Sequence, residues 1–424
     1  MVPPYLADLD HDMLAVLGRE WLLHGHLQDR VGMALVMEGA DREEMQQVAI
    51  EEWMAASPIY SRRMQQAMGF GGGAPNTGGV DTICKNLQLD IGAPHEFMDF
   101  RFRVLDERHA EFWLAHCGAL MDVEPMGVEF VHGMCHTIED PTFDATAAAT
   151  NPHAAIRPLH RPPRVPAGRT PHCHWRIDID ADAVAVEPHP LQARVAAARV
   201  ASVGVERFDA DDSDGLADYS GPFSPDLRLE DFSSGALRTA LQEFAVQSHL
   251  LLRAFLTSVE GRFGPERVAG IAPRLVAGWC SLTAQRLRDA LGLEPTATGL
   301  ATMLSLHPMF APRSYVGATI TVEPDDAVRI GIGDCAALHE GDQLGWLSGL
   351  GGAMDGALDA VVSAFDPHAG CEPVPVRSGE VHAYRAVIDR DRPAREEGAE
   401  LAVAKISTGA AFRFRIPTAV VKGG

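Results

Sequence analysis

From Arg19 to Met68 apolar side chains return every three or four residues. Trp21, Leu22, Leu27, Val31 and Leu35 are followed by Met45, Val48, Ile50 and Trp53, the period of helices packed on a core. Phe100–Val104 (FRFRV) alternates instead, as a half-buried strand does, and Glu111–Leu120 (EFWLAHCGAL) reads as its partner across a turn at Asp106–His109. A helical pattern runs from Glu129 to about Ala148. Asn151-Pro152 stops it, because proline disfavours helix in the residue before it. Ala155–Leu159 and Cys173–Ile179 predict two more strands, joined by the basic, Pro-rich hairpin loop His160–Pro171. Leu191–Val203 predicts an Ala/Val-rich helix, an acidic, turn-rich linker extends to Ser234, and Phe412–Ile416 (FRFRI) predicts a last strand. The glycine-rich Gly69–Gly79 lacks Gly-Lys-Ser/Thr and reads as a connector or lid rather than a phosphate cradle.

The order of elements recurs. FRFRVLDERHAEFWLAHCGAL, from Phe100, aligns without a gap to ATITVEPDDAVRIGIGDCAAL, from Ala318, so that Cys117 meets Cys335. Asn151-Pro152-His153 meets Asp366-Pro367-His368, and Trp175, Arg176 and Asp180 meet Tyr384, Arg385 and Asp389. Gly69 falls near Gly292 and Trp53 near Trp279. Several matches in one order mean duplication. The expected fold is α+β, with two homologous domains, each a helical layer on a four-stranded antiparallel sheet with a crossing helix. The expected divisions are residues 19–180 and 235–390, a helix plus acidic linker at 181–234, and a C-terminal extension at 391–424.

Chemistry concentrates in EFVHGMCHTIED. On a regular helix Glu129, His132, Cys135, His136 and Asp140 form one stripe. At the spacing that pairs Cys117 with Cys335, this stripe meets Leu347, Leu350, Ala353, Met354 and Leu358, so the first half reads as the working half and the second as a pseudo-copy. Cys135 is the candidate nucleophile, with His132 or His136 one turn away as its base. Its bland reading is a small buried hydrophobe. HCHWRIDID offers His172, His174 and Arg176 on one strand face and Cys173 and Trp175 on the other. His174 is the candidate acid or orienter. Arg169 and Arg176 are the candidate carboxylate holders, with Trp175 and Glu129 as further substrate contacts. No cofactor is expected; a divalent metal, if one binds, would take His132, His136 and His172. The bland alternatives are a solvated helix face and a capped sheet surface.

The formal charge of −22 repels phosphate backbones and anionic membranes, so neither nucleic acid nor membrane is an expected partner. The acidic N-terminal stretch has no basic n-region, so no signal peptide is expected. Seven cysteines in a long chain point to reduced thiols and a cytoplasmic setting. The expected partner is a small-molecule substrate, met by a monomer or a homo-oligomer.

Cys135, Asp140, Asn151-Pro152 and Cys173-His174-Trp175-Arg176, in that order, resemble the L-2-amino-thiazoline-4-carboxylic acid hydrolase family, of the same superfamily as the 4-vinyl-reductase-type ligand-binding domains. The resemblance covers about residues 20–180 and, more weakly, 240–390. It implies a hydrolase opening a C–N or C–S bond in a cyclic or amide-like carboxylate, with Cys135 as nucleophile or metal ligand. The alternatives are a non-catalytic small-molecule-binding or sensory protein, and a metal-dependent lyase or hydrolase using the His/Cys cluster.

Overall fold

The computed structural model describes residues 1–71, 76–208 and 215–415. The fold is α+β, with two four-stranded antiparallel sheets, each packed against helices. The first half contains helices α1 (His11–Met37), α2 (Arg42–Ala67) and α3 (Val80–Gln88), then strands β1 (Met98–Val104) and β2 (His109–Cys117). Short α4 (Gly118–Val123) leads to α5 (Val128–His132), a π-helical turn at Gly133–Ile138, and α6 (Glu139–Ala148). Strands β3 (Ala154–His160) and β4 (Cys173–Ile179) follow, then α7 (Pro190–Ala196) and α8 (Arg199–Ser202). The second half repeats the order with α9 (Ser234–Phe263), α10 (Pro265–Ala290), α11 (Ala297–Ser305), α12 (Arg313–Val316), β5 (Ala318–Val322), β6 (Val328–Gly333), α13 (Ala353–Phe365), β7 (Ala369–Pro373), β8 (Glu380–Ile388) and α14 (Ala399–Ala404).

The sheets share one topology, β1-β2-β4-β3 and β5-β6-β8-β7. They also share register. Phe112 lies opposite Phe102 and Trp175, and Ile330 lies opposite Ile320 and Tyr384. Individual hydrogen bonds recur as well. Asp144 accepts from Ile156 N as Asp359 does from Cys371 N, and Asp180 N donates to His153 O as Asp389 N does to His368 O.

Two details differ from the sequence pattern. The strand expected to run to Leu120 ends at Cys117, because Gly118–Val123 turns into helix. Phe412–Arg415 forms no strand; the Gly409 and Phe412 carbonyls accept from Arg286 Nη1 instead, at 2.7 and 2.9 Å. Ile416, residues 72–75 of the Gly69–Gly79 loop and residues 209–214 of the acidic linker lie outside the described residues.

The repeat also extends beyond the strands. Arg63 makes a two-pronged bond to Glu243, at 2.9 and 2.8 Å, and bonds the Ala201 and Val203 carbonyls. Arg286 does the same to Glu20, at 2.8 and 2.9 Å, and bonds the carbonyls of the 409–412 tail. The segments after each sheet, Pro190–Ser202 and Ala399–Ala410, therefore make equivalent contacts in the two repeats. Each docks on the other half: Thr408 N donates to Asp122, and Arg199 N donates to Glu340. The long helices lie in the order α2, α9, α1, α10, so the halves interleave.

Candidate functional site

A cavity of about 510 Å³ opens in the first half between α1, α2, β1, α4 and the α5–α6 helix, with the 403–407 tail at its side. Its walls are mainly apolar, including Met33, Met45, Trp53, Met98, Phe100, Phe130, Met134 and Phe143. Exposed Met37, Met126 and Ile406 surround the mouth. Into this wall the chain places His26, Asp29, Arg30, Asp90, Asp122 and Glu139.

Two of these are spoken for. Arg30 Nε lies 3.0 Å from Asp122 Oδ2, and Asp122 also accepts from Ser407 Oγ and Thr408 N, both at 2.7 Å. This cluster recurs in the second half as Arg253 with Glu340, so it belongs to the scaffold. His26 recurs as His249; both are buried, and burial lowers the pKa of each.

Asp29 and Glu139 of the wall, and the buried Glu52, have no acidic counterpart. In the helix register fixed by the Arg63–Glu243 and Arg286–Glu20 pairs, Asp29 corresponds to Leu252 and Glu52 to Leu275. In the register fixed by Asp144 and Asp359, Glu139 corresponds to Met354. Leu252, Leu275 and Met354 are 2, 0 and 2 % exposed. The same fold thus closes with plain apolar packing where the first half places carboxyls, Glu52 buried and Asp29 and Glu139 half-buried.

Asp29 Oδ2 accepts from Trp53 Nε1 at 2.9 Å, and Glu52 Oε1 from Gln28 Nε2 at 2.6 Å. Asp29 Oδ1 and Glu52 Oε2 keep no other protein partner, and the two side chains are within hydrogen-bonding reach of each other. One proton shared between them satisfies both, and desolvation raises both pKa values, Glu52 the more strongly. Asp90 accepts from Tyr60 OH at 3.0 Å and Gly92 N at 2.7 Å; burial lifts it to about 6. Glu139 is the most exceptional. Desolvation lifts its carboxyl from 4.5 to about 8, Arg161 opposing and Asp140 adding, and among the described residues no hydrogen bond reaches it.

A glutamic acid protonated when folded and ionised when unfolded destabilises the fold as pH rises. Its contribution is intact below about 4.5 and is lost progressively towards about 8. Glu139→Gln should therefore match the parent near pH 4. Above that it should gain on the parent by on the order of 1 kcal/mol per pH unit, up to about pH 8. Urea unfolding of both proteins across this range checks it; parallel stability curves would contradict it.

The π turn explains why Glu139 faces the cavity while Asp140 does not. Its wider winding advances the helix out of the three- and four-residue rhythm, so Phe130, Gly133, Met134, Ile138, Glu139 and Thr142 line the cavity. A Cβ on Gly133 would meet Gln46 Nε2 at 2.4 Å, so a larger residue there would displace the Gln46 amide.

The stripe anticipated from the sequence is dispersed by the same turn. Cys135 is 2 % exposed and outside the cavity lining; desolvation, then Glu139 and the Cys117 and Cys173 thiols, push its pKa well up, the opposite of an activated nucleophile. His132 is exposed, with its ring 4.4 Å from that of His136, whose Nε2 bonds the Pro162 carbonyl at 2.7 Å. Asp140 pairs with Arg161, and Glu129 sits at the surface 3.6 Å from Arg42. On β4, Cys173 and Trp175 face inward; Trp175 packs on Phe143 with ring centroids 5.0 Å apart. His174 lies on the opposite face, 3.1 Å from Glu111, and Arg176 bonds Asp178 at 2.6 Å. His172 is buried and accepts from Cys117 N at 3.1 Å, while Arg169 is exposed in the hairpin. None of these residues lines the cavity. His132, His136 and His172 are not brought together, and among the described residues no cluster of three or more His, Cys, Asp or Glu could hold a metal ion.

Asp29, Glu52, Asp90 and Glu139 were not singled out from the pattern. The signal was present: pairing Gly69 with Gly292, rather than Trp53 with Trp279, sets Asp29 and Glu52 against leucines. Comparison with known proteins adds nothing to the geometry: no protein-family model, curated protein or solved structure matches this chain.

Proposed function

We propose that the protein binds a small, largely apolar organic molecule in the first-half cavity, as a ligand-binding module with a second repeat that serves as scaffold. The observation that carries this reading is the contrast between repeats: acids facing a cavity in one, buried leucine and methionine in the other. Cavities of this size, mostly apolar with a few polar groups, suit small molecules. The seven unpaired thiols suit a reducing cytoplasm. Among the described residues no helix is long and apolar enough to cross a membrane.

Hydrolysis is the second reading, and the Asp29–Glu52 pair favours it. Two carboxyls sharing a proton can act as base and acid together. In that reaction Asp29, at the cavity wall, would take a proton from water as the water oxygen adds to the substrate carbon, and the pair would return a proton through Asp29 to the leaving nitrogen or sulfur as the C–N or C–S bond breaks. This mechanism uses no thiol, and it replaces the Cys135 mechanism that the family resemblance implies.

N-phenyl-1-naphthylamine, a neutral apolar dye whose emission rises out of water, tests the binding reading. It should bind the parent protein with a micromolar Kd. Ala49→Phe, which places a ring into the cavity from α2, should weaken it by about a hundredfold, equivalent to about 2.7 kcal/mol. Equal binding by the two proteins would contradict this site.

A further inference from the structure

We propose that the ligand of this cavity is an organic cation, an ammonium group on an apolar body, and that Glu139 is its counter-ion with Asp29 as the second acid. The inference rests on the binding reading above and adds the chemical class.

It follows from the charges of the wall. The cavity is lined by four acids and one arginine, and that arginine is taken by Asp122. Asp90 is held by Tyr60 and Gly92. Asp29 and Glu139 remain: Asp29 Oδ1 has only the Glu52 carboxyl within reach, and among the described residues no hydrogen bond reaches the Glu139 carboxyl. An anionic ligand would add charge to this wall and is disfavoured by Coulomb repulsion in a low dielectric. A neutral apolar ligand would leave the Glu139 carboxyl unpaired, and a neutral acceptor could take its hydrogen bond but would draw nothing from the negative charge of the wall. An ammonium group pairs with a carboxylate and is also drawn to aromatic faces, of which Trp53, Tyr60, Phe100, Phe130 and Phe143 line the same space. Packing alone does not account for these acids, because Leu252 and Met354 fill the corresponding positions of the second repeat.

Binding then carries a proton balance. Glu139, protonated in the free protein near neutral pH, passes its proton to solvent as the ammonium arrives, and a carboxylate–ammonium pair replaces the neutral acid. The groups that face Glu139 are Arg161, Asp140 and the thiols of Cys117, Cys135 and Cys173; the cavity wall adds His26, Asp29, Arg30, Asp90 and Asp122.

Octylamine, 1-octanol and octanoate share one apolar tail and differ in the head, so their displacement of N-phenyl-1-naphthylamine at pH 7 reads the head group alone. Octylamine should displace the dye at a concentration at least tenfold below that of 1-octanol, with octanoate the weakest. Glu139→Gln should reduce the octylamine advantage to threefold or less; because the ratio is taken within each protein, general weakening of the site cancels. Calorimetry in two buffers of different ionisation heat should show proton release on octylamine binding by the parent and little by the variant. Equal displacement by octylamine and 1-octanol, preference for octanoate, or an octylamine advantage that survives Glu139→Gln would overturn the cation assignment while leaving the binding reading intact. Failure of the dye to bind, or its indifference to Ala49→Phe, would overturn both.

Discussion

Replacing Arg286 by alanine is expected to lower the stability of the protein by about 3–5 kcal/mol, the cost of leaving one member of a buried ion pair alone. Arg286 and Glu20 have side chains only 4 and 6 % exposed, and two parallel bonds join them. The substitution strands the Glu20 carboxylate between α1 and α10. It also removes the donor to the Gly409 and Phe412 carbonyls, which holds the tail that borders the cavity. The matched variant Arg286→Met with Glu20→Leu removes both charges and should recover most of the loss, since an apolar pair of similar volume leaves no unpaired charge. Denaturant unfolding of the three proteins is the measurement. A loss below about 1 kcal/mol for Arg286→Ala would mean that the interleaved helices do not depend on this pair.

The second large effect has the opposite sign. Installing the second repeat's residues in the first, Asp29→Leu, Glu52→Leu and Glu139→Met together, is expected to raise stability at pH 8 by several kcal/mol. Each change removes a desolvated acid whose ionisation favours the unfolded chain above about pH 5. The corresponding leucines and methionine of the other repeat already pack without exposure. The same variant should lose the preference for octylamine over 1-octanol. A gain in stability bought by loss of function is the usual mark of a site kept strained for its task. A large loss of stability would instead assign these acids to the scaffold.

Much of the fold was legible because strands report themselves by alternation. FRFRV and its counterpart ATITV are edge strands of their sheets, and the gapless alignment between them is the observed register, Phe102 opposite Phe112 as Ile320 is opposite Ile330. The helices were legible as helices but not in their pairing. A long amphipathic helix offers several alignments, and tryptophans at Trp53 and Trp279 suggested one that the Arg63–Glu243 and Arg286–Glu20 bonds exclude. The stripe expected from the sequence is dispersed for a local reason. A stripe at three- and four-residue spacing presumes a regular helix, and the six-residue π turn at Gly133–Ile138 breaks that presumption in the middle of the motif. Cys135 therefore enters the core while Glu139 takes the cavity face. The histidines drew attention as rare polar residues, yet His136 and His174 are held by a backbone carbonyl and a surface glutamate. The interleaving of the halves left no trace in periodicity, because contacts between α2 and α9 or α1 and α10 depend on tertiary arrangement alone.

The central claim is that the acid-lined cavity of the first repeat holds the ligand and the second repeat does not. A crystal structure of the protein with N-phenyl-1-naphthylamine tests it most directly. The account predicts one dye molecule enclosed between Trp53, Phe130 and Phe143, within reach of Glu139, and none among Leu252, Leu275 and Met354. A dye found only on the outer surface, or in the second repeat, would contradict it.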